Sequence, residues 1–502
     1  MKLAPTSFVL LAVSLPAALA TPALDSRSRH KANAVRANDF IRVDGMRLKD
    51  SHGEPHYLTG MNYWACMNLA ADDSLGGEHA RFIKELDQMA AKGINHLRIM
   101  ASSEGNPEPQ PFRMSPALQK APMQYEEGIF VGLDRCLAEM AKRGMRATMT
   151  LNDQWQWSGG FAQYMSWVNN NEPISYPPSW NLTAPPQRGE GKTGWGNYTT
   201  TGSFSDYVTY GNQIYTNQKA EQIYKKHIET VLNRRNTVNG RLYKDDATIM
   251  TWQLANEPQP ANPSSYLGPY SLEYPPNEQD PLIPWVDRIS KFIKKRAPRQ
   301  LISVGFEGKQ GEWFWKKVHE PEAVDYGTTH AWVQNWGIYN MTDASQQNLD
   351  KAKSFVDEFI ANSSRWAADI KKPVLLEEFG MARDNWQNDE SKGEYLYASK
   401  ATTTHKDDYF EHLIGLVVAD YERGGAYIGS APWAYGGIYR PETQVANEFG
   451  MVLAGDPPHE SPGWYDLYDT DEAMNIVERQ KRRVDKFHQK QCGGKQGGGK
   501  PQ

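Results

Sequence analysis

The chain has 502 residues and a mass of 56.8 kDa, with 55 basic against 60 acidic side chains and a pI near 6.2. That balance leaves no electrostatic footprint for nucleic acid or an anionic membrane. A hydrophobic content of 39% excludes wholesale disorder, and the length admits either several domains or one α/β barrel enlarged by loop insertions.

In chain order, Lys2 precedes an apolar run from Phe8 to Ala20 that ends in Ala18-Leu19-Ala20. A basic start, a short apolar run and a small-residue end predict a secretory signal peptide over residues 1–20. Residues 21–38 are small, polar and basic, and read as a disordered leader or pro-segment. Residues 39–490 show no linker and no break in composition, so they are expected to form one domain. The Gly- and Lys-rich stretch 491–502 reads as a flexible tail. An exported chain also suits the four Asn-x-Ser/Thr sequons at Asn181, Asn197, Asn340 and Asn362. Cys66, Cys136 and Cys492 permit at most one internal disulfide. None has zinc-site spacing, so no structural metal is expected.

Inside the domain, short apolar runs alternate with amphipathic stretches. The predicted strands are Tyr57–Asn62, Asn95–Met100, Arg146–Leu151, Thr248–Leu254, Leu301–Phe306, Tyr326–Ala331, Val374–Phe379 and Ala426–Ala431. The predicted helices include Glu78–Lys92, Asp134–Arg143, Gln218–Arg234, Trp285–Arg296, Asp350–Ile370, Asp407–Arg423 and Glu472–Gln489. Gly93, Gly144 and Gly424 each stop a helix just before a strand. Eight strand-then-helix units point to a (β/α)8 TIM barrel with long insertions on its C-terminal face. An open doubly wound sheet is the rival, but no Gly-rich phosphate loop follows the first strand.

Long irregular segments, 152–212, 256–284 and 432–470, follow strand ends, where a barrel keeps its active site. The first carries Trp155, Trp157, Phe161, Tyr164, Trp167, Trp180 and Trp195. Most of these rings are expected to pack the loop down, and some to line a groove for flat, weakly charged ligands such as sugars.

Two carboxylates stand out. Asn256-Glu257-Pro258 closes the fourth strand, and Glu377-Glu378-Phe379-Gly380 closes the seventh. Strands four and seven face each other across an eight-strand barrel, and acids are disfavoured in strands. Glycoside hydrolysis needs such a pair, one carboxyl as general acid and one carboxylate as nucleophile.

These motifs resemble glycoside hydrolase family 5, a family of retaining (β/α)8 barrels. The resemblance implies Glu257 as acid/base and, before an aromatic-Gly pair, Glu378 rather than Glu377 as nucleophile. It extends to Arg98, His330 and Trp433, in strand order over residues 40 to 440. Arg98 is expected to hold Glu378 ionised, Asn256 to donate to the sugar 2-hydroxyl, His330 to bond a sugar hydroxyl, and Trp433 to floor the subsite. Glu257 is expected to be protonated near neutrality. The family tyrosine two residues after the strand-six histidine is Trp332 here, which leaves Tyr339 or Tyr435 as candidate replacements. Gly60 to Trp64, Gly305 to Gly308 with Glu307, His330 to Trp336 and Trp433 to Gly437 look more like the β-mannanase branch than the cellulases. Trp64, Asn152, Glu307 and Trp332 join the expected substrate-binding set.

The expected activity is therefore endo-1,4-β-mannanase, with an exo-acting β-mannosidase of the same fold as the rival. A β-1,4-glucanase or a non-catalytic carbohydrate-binding barrel ranks lower. A nucleotide-dependent sugar enzyme would need a phosphate loop that is missing. Neither chemical step calls for a metal or organic cofactor. The expected partner is a mannan-type polysaccharide or oligosaccharide, acted on by a secreted monomer without nucleic acid or membrane.

Overall fold

A computed structural model describes residues 34–105, 113–177, 202–261, 274–387, 397–444, 446–458 and 460–493. The expected signal peptide, most of the leader, Trp180, Trp195, the sequons at Asn181 and Asn197 and the tail from residue 494 lie outside the described residues.

Eight strands form the centre: β1 (Leu58–Asn62), β2 (His96–Met100), β3 (Arg146–Thr150), β4 (Ile249–Gln253), β5 (Leu301–Ser303), β6 (Gly327–Ala331), β7 (Val374–Phe379) and β8 (Tyr427–Ser430). They pair in parallel in the order β6-β7-β8-β1-β2-β3-β4-β5. Backbone bonds from Asp325 to Ile302 and from His330 to Glu307, each 2.9 Å, join the two ends into a barrel. Every expected strand is present, and all their residues are buried, as strands covered on both faces must be.

A barrel helix follows each strand: α1 (His79–Ala91), α2 (Glu127–Lys142), α3 (Gln218–Leu232), α4 (Leu282–Arg296), α5 (Glu312–His319), α6 (Gln346–Asp369), α7 (Thr404–Glu422) and α8 (Glu472–Gly493). Their apolar stripes face the sheet; α1 buries Phe82, Leu86 and Met89 at helical spacing. Gly93, Gly144 and Gly424 have φ of 80°, 74° and 89°, the left-handed values of a helix stop. The eight-residue α5 was not among the predicted helices, because two turns carry too little periodicity to register. A hairpin, Arg42–Asp44 with Arg47–Lys49, closes the N-terminal end of the barrel. Ile41 and Leu48 pack there on Leu58, Met250, Leu301, Tyr326, Leu375 and Ile428.

The segment 152–212, read as irregular, contains two helices, Gly160–Val168 and Phe204–Asn212. Phe161 stands edge-on to Tyr215 and Trp285, and Tyr164 to Tyr224, so these rings hold the loop against α3 and α4. Cys66, just after β1, is disulfide-bonded to Cys136 on α2, with Cα atoms 6.1 Å apart.

Candidate active site

The site is built on strand ends. Past β4 the backbone is pinned on both sides: Asn256 N donates to Asn152 O and Glu257 N to Gly305 O, each at 2.9 Å. Glu257 has φ 49°, a left-handed conformation that costs a residue with a Cβ about 1–3 kcal/mol. These bonds hold it there. Its Oε1 accepts from His330 Nδ1 at 2.6 Å, and its Oε2 from Trp155 Nε1 at 2.6 Å.

Across the barrel, Glu378 Oε1 accepts from Arg98 Nη1, and its Oε2 accepts from Trp332 Nε1 at 3.2 Å. A carboxylate oxygen of Glu257, one of Glu378 and a nitrogen of His330 all lie within 4.8 Å of one another. That is the close spacing of a double displacement, about 5–5.5 Å, rather than the wider gap that admits a water for inversion. Neighbouring Glu377 points into the barrel, where Gln253 Nε2 donates to both its oxygens at 2.7 Å. Its burial there supports Glu378 as the nucleophile.

Arg98 organises this floor. Its Nε donates to Gln253 at 2.8 Å, Nη1 to Asn62 at 3.1 Å and Nη2 to Asn256 Oδ1 at 2.6 Å. A planar, permanently charged fork suits four acceptors at once. Burial opposes its charge, but Glu377 and Glu378 outweigh that and raise its pKa. With Asn256 Oδ1 committed to Arg98, the amide nitrogen donates to Asp153 at 3.1 Å, which fixes its orientation.

The charge distribution reverses the expected one. Burial would raise the pKa of Glu257, but the hydrogen bond and charge of His330, with Lys309 and Trp155 behind them, lower it. Glu378 is raised, first by burial and then by Glu257 and Glu377, against the pull of His330 and Arg98. His330, despite its burial, is pushed up to about 10 by the surrounding carboxylates. These opposing shifts favour the proton on His330 over Glu257 in the substrate-free site. A sequence shows that the histidine exists, not that its Nδ1 points at the acid/base.

The carboxylates open into a cavity of about 230 Å³. Of the expected residues, Glu257, Glu378, Asn256, Glu307, Trp332 and Trp433 line it. Four do not. Arg98 lies beneath the floor, and fully buried His330 bonds Glu257 rather than a sugar hydroxyl. Asn152 turns its Oδ1 back to the Asp153 backbone at 2.8 Å. Trp64 donates to Gly455 O at 2.7 Å and supports Trp157 edge-on from behind. Neither candidate tyrosine reaches the nucleophile: Tyr339 bonds His405 and Tyr435 bonds Gln88, and Trp332 itself supplies the donor.

Sequence reasoning missed Lys309, whose Nζ pairs with Glu307 at 2.8 Å, and Glu460, whose burial beside Glu378 and Glu257 raises its pKa to about 8. It also missed Phe204 and Pro457 on the cavity wall. Only the run Glu307-Gly-Lys309 after a strand end signalled one of them; nothing local marks the others. Among the described residues, Glu257, His330 and Glu378 are the one group close enough to share a metal ion, and His330 Nδ1 is already engaged by Glu257.

The family model for glycoside hydrolase family 5 β-mannosidase-like proteins matches residues 38–489. A glycoside hydrolase family 5 mannosidase from Rhizomucor miehei superposes with a TM-score of 0.78 at 40% identity, covering 91% of this chain and all of that one. Mannan endo-1,4-beta-mannosidase 5 of Solanum lycopersicum is 27% identical over 408 residues, 78% of this chain and 81% of the relative. The putative mannan endo-1,4-beta-mannosidase 9 of Oryza sativa subsp. japonica is 28% identical over 418 residues, 80% of this chain and 83% of the relative. With two opposed carboxylates at retaining distance on strands four and seven of a TM barrel, the chain belongs to the β-mannosidase-like group of glycoside hydrolase family 5.

Proposed function

We propose that this chain is a retaining glycoside hydrolase that cleaves β-1,4-mannosidic bonds in mannan-type substrates, cutting within the chain as an endo-1,4-β-mannanase. The observation that carries the mechanism is the approach of the Glu257 and Glu378 carboxylates to within 4.8 Å. Glu378 Oε2 attacks the anomeric carbon while the glycosidic oxygen leaves with a proton from Glu257. Water, deprotonated by Glu257, then displaces Glu378. The proton for the first step is stored on His330 and reaches Glu257 across their 2.6 Å hydrogen bond as the glycosidic oxygen docks. The curated plant relatives support the mannan substrate.

A second reading, exo attack from chain ends, is favoured by the small cavity and its walls. Trp155 and Phe204 from the loop after β3 stand on one side, Pro457 and Glu460 from the loop after β8 on another. Two experiments decide. Proton NMR of the first-formed sugar should show the β anomer; an α product would overturn the double displacement. Digestion of linear mannan should yield a ladder of oligosaccharides, and mannose alone from the first minutes would replace the endo reading by the exo one.

Export from the cell is part of the proposal. The apolar N-terminal run and the Cys66–Cys136 disulfide support it, since such bonds persist in oxidising compartments. The exposed sequons at Asn340 and Asn362 are compatible with a glycoprotein. A secreted form that retains Met1 would argue against cleavage.

A further inference from the structure

The loop after β5 has a second face. Lys309, whose Nζ pairs with Glu307 at the catalytic cavity, also lines a separate hollow of about 150 Å³ against α6. Phe355, Glu358, Phe359, Asn362 and Trp366 make its other wall. Counted from Asn362 they stand at i−7, i−4, i−3, i and i+4, which is one stripe of a helix. Phe355 and Phe359 stack with ring centroids 5.8 Å apart. Trp336, a wall of the catalytic cavity, stands edge-on to both.

Asn362 also opens the sequon Asn362-Ser363-Ser364. Its side chain is exposed, whereas Asn340, at the other described sequon, has its Oδ1 tied to the backbone N and hydroxyl of Thr342 at 3.0 and 2.9 Å. A helical Cα–Cβ bond leans toward the helix N-terminus. Anything attached to Asn362 therefore lies over the preceding turns, where Phe355, Glu358 and Phe359 are. Aromatic rings suit the apolar C–H face of a sugar, and the exposed carboxylate of Glu358 supplies an acceptor for its hydroxyl or acetamide donors. Sites of about 300–1,000 Å³ hold whole drug-sized ligands, so this hollow has room for one sugar ring and not for a run of polysaccharide.

We propose that Asn362 carries an N-linked glycan whose first sugar, an N-acetylhexosamine, is seated in this hollow and clamps α6 to the loop that holds Lys309; this rests on the export reading above. In the transfer the Asn362 amide nitrogen bonds C1 of a lipid-linked oligosaccharyl diphosphate. The bond from C1 to the diphosphate breaks, and the amide proton passes to a base of the transferase. In the folded chain Ser364 is buried, its hydroxyl donating to Asp420 at 2.9 Å and accepting from Ala426 N at 3.1 Å. The triplet is readable only before α6 packs against α7 and the start of β8. The sugar therefore arrives first, and the hollow forms around it.

The test uses the full chain secreted from a eukaryotic host, with peptide mass spectrometry at each sequon and thermal melting. Asn362 should be occupied. Trimming with an endoglycosidase that leaves one sugar on the asparagine should not move the melting temperature, whereas Asn362→Gln should lower it by about 2 °C. In a Phe355→Ala background, which opens the seat, Asn362→Gln should shift it by less than half as much. A bare Asn362 beside an occupied Asn340, or a melting temperature indifferent to Asn362→Gln, would overturn the proposal. So would a bare Asn362 whose Gln variant loses affinity for mannan but not for an aryl mannoside, since the hollow would then be a remote substrate site. Retention of the chain inside the cell would instead overturn the export reading on which the proposal rests.

Discussion

The two ends of this barrel are made from the same eight strands, yet they treat their titratable groups in opposite ways. At the N-terminal end buried His96 and His319 and half-buried His56 are neutral, pushed down by desolvation to about 4, 3 and 3. No reaction is asked of that end, and a hairpin seals it with apolar side chains. At the C-terminal end the groups that burial perturbs include many acids. Burial raises Glu104 to about 8, Asp456 to about 7 and Glu460 to about 8. Around Arg98 three carboxylates and a histidine crowd together. The difference teaches where the fold gives up stability for chemistry, since an apolar filling of that floor would hold the barrel better and catalyse nothing.

The sharpest way to break the contrast is to remove one carboxylate from the crowded end. Glu378→Ala should lower turnover on mannan by on the order of 10⁴-fold. Its melting temperature should stay at or above that of the native chain, because a buried, crowded charge is gone. Near-native turnover would remove Glu378 from the nucleophile role. The next largest effect is expected at Arg98, whose fork serves Gln253, Asn62, Asn256 and Glu378 together. Arg98→Lys keeps the charge but not the geometry, and should cost about 10²-fold in kcat/KM. A loss no larger than threefold would reduce Arg98 to a counter-charge.

On the wall, Trp155→Phe keeps the ring and deletes the N–H that bonds Glu257 Oε2. A drop of about tenfold in kcat/KM is expected. If an aryl mannoside were unaffected while mannan was lost, Trp155 would be a sugar platform and not a partner of the acid/base.

The smallest effect compares both ends in one experiment, stability against pH. The histidines titrate near 6.5 when unfolded and lower when folded. Their contribution is therefore complete above about pH 6.5 and is lost as pH falls toward their folded values. The raised acids run the other way: their contribution is complete below about pH 4 and is lost as pH rises through 7 to 8. Urea midpoints should be highest between about pH 4 and 6.5 and fall on either side. A midpoint that climbs steadily to alkaline pH would mean the C-terminal acids are not held neutral.

The sequence by itself determined the barrel and its reacting pair. Eight apolar runs followed by amphipathic stretches have one economical packing, and Gly93, Gly144 and Gly424 mark its turns because a left-handed helix stop favours residues without a Cβ. Glu257 and Glu378 were legible because charge at the end of a buried strand needs a chemical reason. Only the tertiary structure decided what surrounds them. His330 moved from sugar binding to holding the proton beside Glu257, and Trp332 took the donor's place that Tyr339 and Tyr435 were weighed for. Trp64 and Asn152 withdrew from the cavity, while Lys309 and Glu460 entered it from loops far apart in the chain. The physical reason is directional. Local pattern says which residues lie at a strand end, but a side chain's partner depends on where a hydrogen-bonding atom points. That is set largely by contacts from strands and loops tens to hundreds of residues away.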